Sequence, residues 1–554
     1  MNIINNIKNT LKIAVLAIPL AGVGGSILSS CSDAWNEHYD QQDANGTMSL
    51  LQLVEENPQL SDFLRLLKST HIYNNNRRTN VTYAELLDAD QTLTVWAPIN
   101  GTYNADSLLT LCQTERGDST VALHFVRNHI AHNLYNMNGK TAESVKMLND
   151  KYLTLTSTNL HNGAIMDGNY NKPATNGLLH VINDDAQYTY NIYEGLTSMS
   201  EFASIGQFLS GFERQELDED KSIQAGIEDG KKVYSDSVIV KDNILFRTFD
   251  NIMSEDSNFV MMIPNTEVWN RVSSEAAKFF NYGSIEKADS ISNYWTNISL
   301  LQDLIFNKNR QRSMVDSVFT TSFSSKQWPY HVYYNPYNAG GYLDKANIKD
   351  SLLCSNGWIY RIKEWPFTSE QIFFHPIYVE GEREANMISN NLCTTNIRQT
   401  NNSNISGGGY IDIVPKTSSS NWTASFEIRN TLSGTYDICV VVLPKTAYMA
   451  NSKDTKPNKF TAVLHYVDEQ GEKKTIDYKT ELISKGNAID TLTVGRFTFP
   501  VCNYMQQDAT VSLDIKCTIS NRETKYSREM FLDCIYLKPV SETSEAKNRK
   551  EARK

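Results

Sequence analysis

The sequence predicts a multidomain chain in which one module, mixing helical and strand-like periods, occurs twice and is followed by an all-β sandwich or jelly roll. Three observations carry this. The phrase Asn176-Gly177-Leu178-Leu179-His180-Val181-Ile182 is echoed by Asn356-Gly357-Trp358-Ile359-Tyr360-Arg361-Ile362, each an Asn-Gly turn signal feeding a short apolar run. Upstream of each lies a second matching phrase, residues 94–100 (Thr-Val-Trp-Ala-Pro-Ile-Asn) and 259–265 (Phe-Val-Met-Met-Ile-Pro-Asn); Pro98 precedes Asn176 by 78 positions and Pro264 precedes Asn356 by 92, so the second copy carries insertions. From residue 372 to 540 the pattern changes to about eight short alternating strands separated by turn residues, among them 410–414, 424–428, 435–442, 460–467 and 531–537.

Taken from its start, the chain has Lys8 and Lys12 before an apolar run over 13–28, then Leu28-Ser29-Ser30-Cys31. Pro19 and glycines 22, 24 and 25 make this run a poor permanent span. It resembles a bacterial lipoprotein signal, which implies a signal peptide over 1–30 and lipidation of Cys31. Several acyl chains would anchor the protein stably, each buried methylene contributing roughly 0.8 kcal/mol. Asp33, Glu37 and Asp40 behind the cysteine resemble the surface-export signal of Bacteroidetes lipoproteins, and Ser32 rather than Asp at the next position disfavours inner-membrane retention. The expected location is therefore the outer membrane, facing the exterior, with 31–46 as a tether.

The next stretch, 48–67, places apolar residues at helical spacing and opens the first module, 47–187. Its phrases resemble those of the fasciclin-like domain, and residues 123–130 (Leu-His-Phe-Val-Arg-Asn-His-Ile) sit where that family has a helix ending in a His-hydrophobic pair. The second module, 188–368, is divergent: Leu304 stands where His129 would align, and Tyr360 replaces His180. The resemblance covers about half the chain. It implies two α+β fasciclin-like domains serving adhesion and molecular contact, generally without catalysis.

Within the second module, residues 328–342 interleave Trp328, Tyr330, Tyr333, Tyr334, Tyr337 and Tyr342 with Pro, Asn and Gly. Aromatics on loops suit protein interfaces and sugar faces, so these six are candidate contacts. A hairpin alternating its aromatics between core and surface is the other reading.

The sandwich, 369–540, weakly resembles a jelly-roll carbohydrate-binding module through its acidic opening strand and its closing Leu532-Asp533-Cys534-Ile535-Tyr536-Leu537. Glu380, Glu382 and Glu384 alternate along that opening strand. The resemblance implies a structural calcium ion on Glu380, Glu382 and Asp533; a solvated acidic edge that discourages strand pairing is the alternative. Trp422 and Tyr448 are candidate ligand contacts on loops, with a core position open for Trp422. The tail, 541–554, is charged and expected to be disordered.

Other chemistry is thinly represented. A net charge of -11 disfavours nucleic acid. Of 8 cysteines, those beyond Cys31 are 112, 354, 393, 439, 502, 517 and 534, without a Cys-x-x-Cys pair, and read as small buried hydrophobes. His124, His129 and His132 are spaced too unevenly for a metal cage, and His129 and His180 read as core histidines. Asp-Ser or Asp-Thr pairs ending at Ser107, Ser237, Ser290, Ser317, Ser351 and Thr491 resemble the short O-glycosylation signal of Bacteroidetes secreted proteins. The expected function is non-catalytic binding of glycans or partners; the resemblance to Bacteroidetes surface lipoproteins implies a role as an accessory of an outer-membrane uptake complex built on a TonB-dependent transporter and its lid lipoprotein. A free-standing adhesin and a glycan hydrolase in the sandwich are the alternatives.

Overall fold

The two Asn-Gly strands occupy the same central place in two copies of one sheet. The computed structural model describes residues 46–540 except 75–76, 138–141, 162, 229, 308–317, 322–330, 335, 337 and 448–450. The chain divides into two units after Tyr188. The expected signal peptide, Cys31, the expected tether up to residue 45 and the tail 541–554 lie outside the described residues.

In the first unit, helix α1 (Leu50–Glu55) starts at a capping box: the Ser49 hydroxyl accepts from the Gln52 amide while the Gln52 side chain accepts from the Ser49 amide. Helix α2 (Ser61–Ser69) buries Phe63, Leu66 and Leu67, the i, i+3, i+4 stripe of a helix lying on a sheet. That sheet has strands β1 (Leu93–Pro98), β2 (Ile130–His132), β3 (Lys172–Ala174) and β4 (Gly177–Ile182) in the order β2-β1-β4-β3. β1 and β4 run parallel, pairing Leu93 with Gly177 through Pro98 with Ile182. Both are buried along their whole length. Leu93, Val95 and Ala97 face the helices, whereas Trp96 packs with Val145, Leu153 and Leu155 of a small second sheet. Covered on both faces, the strands read as continuous apolar runs.

The second unit opens with the same plan. Helices α3 (Ile192–Ser198) and α4 (Ala203–Ser210) precede β5 (Phe259–Pro264), α5 (Thr266–Ala277), α6 (Ala288–Leu301), β6 (Ile305–Asn307), β7 (Ile348–Cys354) and β8 (Gly357–Ile362). The sheet order is β6-β5-β8-β7, and parallel β5 and β8 pair Phe259 with Gly357 through Pro264 with Ile362. Residue for residue this register matches the first unit, with Tyr360 opposite Met262 as His180 is opposite Trp96. Leu304, immediately before β6, takes the place of His129 before β2. Insertions in the second copy include a long hairpin, Glu213–Glu228 with Lys231–Asn243.

The Asn-Gly pair is more than a turn signal. The Asn176 side-chain oxygen accepts from the Leu50 amide at 2.9 Å, and its nitrogen donates to the Leu87 and Ala89 carbonyls at 2.9 and 2.6 Å. Asn356 repeats this, accepting from the Ile192 amide at 2.9 Å and donating to the Ile252 and Ser254 carbonyls at 2.9 and 3.0 Å. Each asparagine thus ties the first helix of its module to the segment entering the central strand. The following glycine is required by close approach, since a Cβ on Gly177 or Gly357 would collide with the carbonyl of Leu93 or Phe259. Asn176→Ala or Asn356→Ala is expected to cost roughly 2–4 kcal/mol, because one helix amide and two carbonyls lose a buried partner. Urea unfolding measures this, and wild-type midpoints in both variants would show the ties to be dispensable.

Among the described residues the sandwich has eleven strands: β9 (Ile377–Glu380), β10 (Met387–Asn391), β11 (Cys393–Gln399), β12 (Gly409–Pro415), β13 (Thr423–Ile428), β14 (Thr435–Leu443), β15 (Lys459–Val467), β16 (Lys473–Ile483), β17 (Asp490–Thr498), β18 (Val511–Cys517) and β19 (Met530–Pro539). One sheet runs β11-β12-β19-β14-β17 with β9 also on β19; the other runs β10-β13-β18-β15-β16. The sandwich is not an independent bead behind the second module. Phe280 and Tyr282, just after α5, lie in the sandwich core, the Tyr282 hydroxyl donates to the Tyr504 carbonyl at 2.9 Å, and the Cys502 amide donates to the Asn281 carbonyl at 2.6 Å.

Candidate functional site

The sandwich brings its acidic residues together by a β-bulge. β19 pairs Ile535 with Val440 and Leu532 with Val442 of β14, so Asp533 and Cys534 together face the single Val441. Such a bulge re-aims side chains. Cys534 also pairs with Glu380 at the end of β9, and one potential ligand atom from each of Glu380, Asp533 and Cys534 lies within 4.8 Å of the others. Among the described residues this is the one group of three or more side chains placed to hold a metal ion.

The loop before β12 closes the cluster. The Ser406 amide donates to both Asp533 oxygens at 3.1 and 3.3 Å, and the Ser406 hydroxyl donates to Glu380 at 2.7 Å. Gly407, at φ 62°, lies against the Glu382 and Glu380 carboxylates where a side chain would not fit. Glu380 and Asp533 are buried, and Oε2 of both Glu380 and Glu382 is buried without a hydrogen-bond partner. Burial, followed by repulsion from Glu380 and Glu382, pushes the Asp533 carboxyl up to about 7. Burial also raises Glu382, with Glu380 adding to it, and keeps the Cys534 thiol protonated.

These residues fit the calcium ion that the sequence suggested. Buried, unpartnered carboxylate oxygens are what a hard cation satisfies, and the protonated thiol of Cys534 is a poor ligand for it. Bound there, the ion would supply positive charge and tie β9, β19 and the loop before β12 together. The alternative of a solvated acidic edge does not describe Glu380 and Asp533, which are buried. Glu384 is corrected: β9 ends at Glu380, the chain turns at Gly381, and Glu384 is exposed in a short 3-10 turn. The sequence reading missed Ser406 and Cys534. The Gly407-Gly408-Gly409 run was the available signal for the loop.

The candidate contact residues separate sharply. Trp422 is a core residue, 1% exposed, whose indole donates to the Arg528 carbonyl at 2.7 Å, so it is corrected from ligand contact to packing. Tyr342 is corrected likewise: it is buried and donates to the Asp303 carbonyl at 3.1 Å. Tyr333 is half-buried, donating to the Asp303 carboxylate at 2.6 Å and packing on Tyr342 and Phe367. Tyr334, on the same strand, is 73% exposed. The segment therefore alternates as a hairpin does, Val318–Thr320 pairing with Val332–Tyr334. Trp328, Tyr330, Tyr337 and Tyr448 lie outside the described residues.

An aromatic surface that the sequence reading missed is on the outer face of β9 and β19. Ile377 and Val379 point to the core, leaving Tyr378 on the other face, 53% exposed and stacked on Tyr536 with ring centroids 4.7 Å apart and planes at 18°. The alternation Ile-Tyr-Val-Glu was the signal for it. All seven described cysteines are free and buried.

The histidines hold structure. His129 is buried; its Nε2 accepts from the Ala186 amide at 2.9 Å, so Nδ1 carries the proton and donates to the Phe125 carbonyl at 2.8 Å. His180 has the opposite tautomer, Nδ1 accepting from the Asn171 amide at 3.0 Å and Nε2 donating to the Tyr135 carbonyl at 2.9 Å. Burial lowers each to about 4. His124 stacks on Tyr188, and His132 meets the Gln91 side chain.

No family model and no curated protein matches the chain. Among solved structures, it is similar to the CBM22-1 and GH10 modules of a Clostridium thermocellum endo-1,4-β-D-xylanase complexed with xylohexaose, at 13% identity over 30% of this chain and 29% of that one, TM-score 0.20. It is also similar to a family 35 carbohydrate-binding module from Clostridium thermocellum, at 10% identity over 30% of this chain and 99% of that one, TM-score 0.19. A FAS1 domain pair from the insect cell adhesion molecule Fasciclin I matches at 10% identity over 51% of this chain and 90% of that one, TM-score 0.18. Likenesses this distant carry no argument about what the chain does; strand order, register and side-chain geometry describe its parts.

Proposed function

We propose that this protein is a non-catalytic surface lipoprotein, anchored in the outer membrane through Cys31, whose β-sandwich binds glycan as an accessory of a nutrient-uptake complex. The observation that carries the binding reading is the Tyr378 and Tyr536 pair: Tyr378, more than half exposed on the outer face of the sheet, has its ring stacked on Tyr536, which holds an aromatic surface with polar tips toward solvent. Such a surface suits the faces of sugar rings. The anchor and the uptake partnership rest on the N-terminal sequence, which supports export and lipidation.

Glycan screening of the protein without its acyl chains tests the first part. Tyr378→Ala is expected to weaken oligosaccharide binding roughly tenfold with little change in melting temperature, since a half-exposed ring contributes about 1–2 kcal/mol to an apolar contact and less to the fold. Unchanged affinity in the variant would remove the tyrosine platform from the binding site. Mild-detergent purification from outer membranes with mass spectrometry tests the second part. A stoichiometric transporter and lid lipoprotein supports the accessory role, and recovery alone points to a free adhesin.

A further inference from the structure

A cleft of about 430 Å³ lies where the second module meets the sandwich, wide enough to admit a hydrated ion. Two histidines line it from different parts of the chain. His331 leads into the strand Val332–Tyr334 of the second module, and His375 lies in the segment between β8 and β9 that carries the chain into the sandwich. Their rings meet edge-on, with centroids 6.0 Å apart and planes at 87°.

The His331 ring is held from behind. Its Nδ1 donates at 2.7 Å to the carboxylate of Asp303, in the turn between α6 and β6, and the Tyr333 hydroxyl donates to the same oxygen at 2.6 Å. Asp303 is fully buried, so this hydrogen bond fixes both the rotation of the ring and its tautomer. Nε2 of the neutral ring keeps its lone pair, and its contact among the described residues is a long one, 3.5 Å from the Gln302 amide nitrogen. An imidazole whose far nitrogen donates to a buried carboxylate while its ring lines a cleft has the arrangement that orients histidine ligands on metal ions. The His375 ring has the Ile372 and Glu370 carbonyls beside it and is otherwise exposed.

The spacing and the charge around the pair suit a cation. Two imidazoles sharing one ion, with metal–nitrogen bonds of about 2.1 Å, put their ring centres about 5 Å apart, so a closure of about 1 Å by the exposed His375 suffices. Asp303 supplies negative charge directly behind His331. Of the two arginines on the wall, Arg429 is paired with Glu427 and Arg383 is exposed to solvent, which screens it.

We propose that His331 and His375 form a transition-metal site in this cleft, with Asp303 as the positioning residue and water in the remaining coordination places. Imidazole donors select zinc, nickel and copper over calcium and magnesium. An ion held there fastens the second module to the segment entering the sandwich. This inference is independent of the glycan-binding reading above.

The test is calorimetric titration of nickel and zinc into the full-length protein without a histidine tag, in excess calcium so that the acidic cluster does not compete. One ion is expected to bind per chain, and Cys534→Ser should leave that binding unchanged. His331→Gln and His375→Gln should each weaken it roughly tenfold or more, and Asp303→Asn roughly tenfold through a misoriented ring. Metal should raise the melting temperature of the wild type and leave those of the two histidine variants where they are without it. Electron paramagnetic resonance of the copper-loaded wild type should show two coordinated nitrogens, a readout that needs no variant to fold. A single coordinated nitrogen, or an affinity unchanged in both histidine variants, overturns the site. Loss of binding in Cys534→Ser assigns the ion to the acidic cluster and overturns it as well.

Discussion

Acidification from pH 6.5 to pH 4 is expected to destabilise the first unit by several kcal/mol and to open it before the second. His129 and His180 are buried as neutral rings, each holding one backbone donor and one backbone acceptor. Their folded values of about 4 lie below the ordinary 6.5. The unfolded chain therefore takes up protons first as pH falls, so stability is full above about 6.5 and declines until about 4, where the folded rings also protonate. A depression of that size is worth roughly 3 kcal/mol per ring, a large part of the margin of an ordinary domain. Hydrogen exchange followed by peptide mass analysis should show β1, β2 and β4 losing protection across this window. The second copy indicates the control: His129→Leu with His180→Tyr installs the residues found at Leu304 and Tyr360. That variant loses some stability at neutral pH, since the Ala186 and Asn171 amides lose their acceptors, but its dependence on pH between 6.5 and 4 should flatten. An unflattened slope would locate the acid sensitivity elsewhere.

This asymmetry between the copies was legible in the sequence, because the strand phrases are local and fix their own register. Once Gly177 and Gly357 are placed against Leu93 and Phe259, every later residue of β4 and β8 follows. What the asparagines do was not legible, since their partners Leu50 and Ile192 are separated from them by more than a hundred residues. Trp422 shows the same limit: a tryptophan after a serine-rich turn looks like a loop contact until Arg528, on the approach to β19, supplies a carbonyl for its indole. The acidic cluster was half legible. Glu380, Glu382 and Asp533 came from the resemblance to carbohydrate-binding modules, strand alternation grouped Glu384 with the two glutamates, and nothing pointed to Cys534. Alternation assumes an unbroken strand, and here β9 stops at Glu380 while a bulge in β19 gathers two neighbours. The platform at Tyr378 obeyed alternation, but one tyrosine in a four-residue strand carries no compositional signal, and its stacking partner Tyr536 lies far along the chain.

Calcium at neutral pH is expected to raise the melting temperature of the second unit by several degrees, with an effect that shrinks as pH falls. Asp533 has a folded value of about 7 against an ordinary 3.8, so between those limits the folded state holds a proton that the unfolded chain does not. Without a cation, the stability contributed by that proton is present below about pH 4 and lost as pH rises to about 7. This is the opposite slope to that of the first unit. A divalent ion replaces the proton by meeting Asp533 and the unpartnered oxygens of Glu380 and Glu382. At a calcium concentration about a hundredfold above its dissociation constant, the gain is about 2.7 kcal/mol. The wild type should therefore show a larger difference between calcium and chelator at pH 7.5 than at pH 5. Glu380→Gln with Asp533→Asn removes two charges from the cluster, so this variant should lose the calcium response and melt higher than the wild type in chelator at pH 7.5. A wild type indifferent to calcium at pH 7.5, where Asp533 is mostly ionised, would rule out a cation site here and leave the cluster as one that takes up a proton as pH falls through about 7.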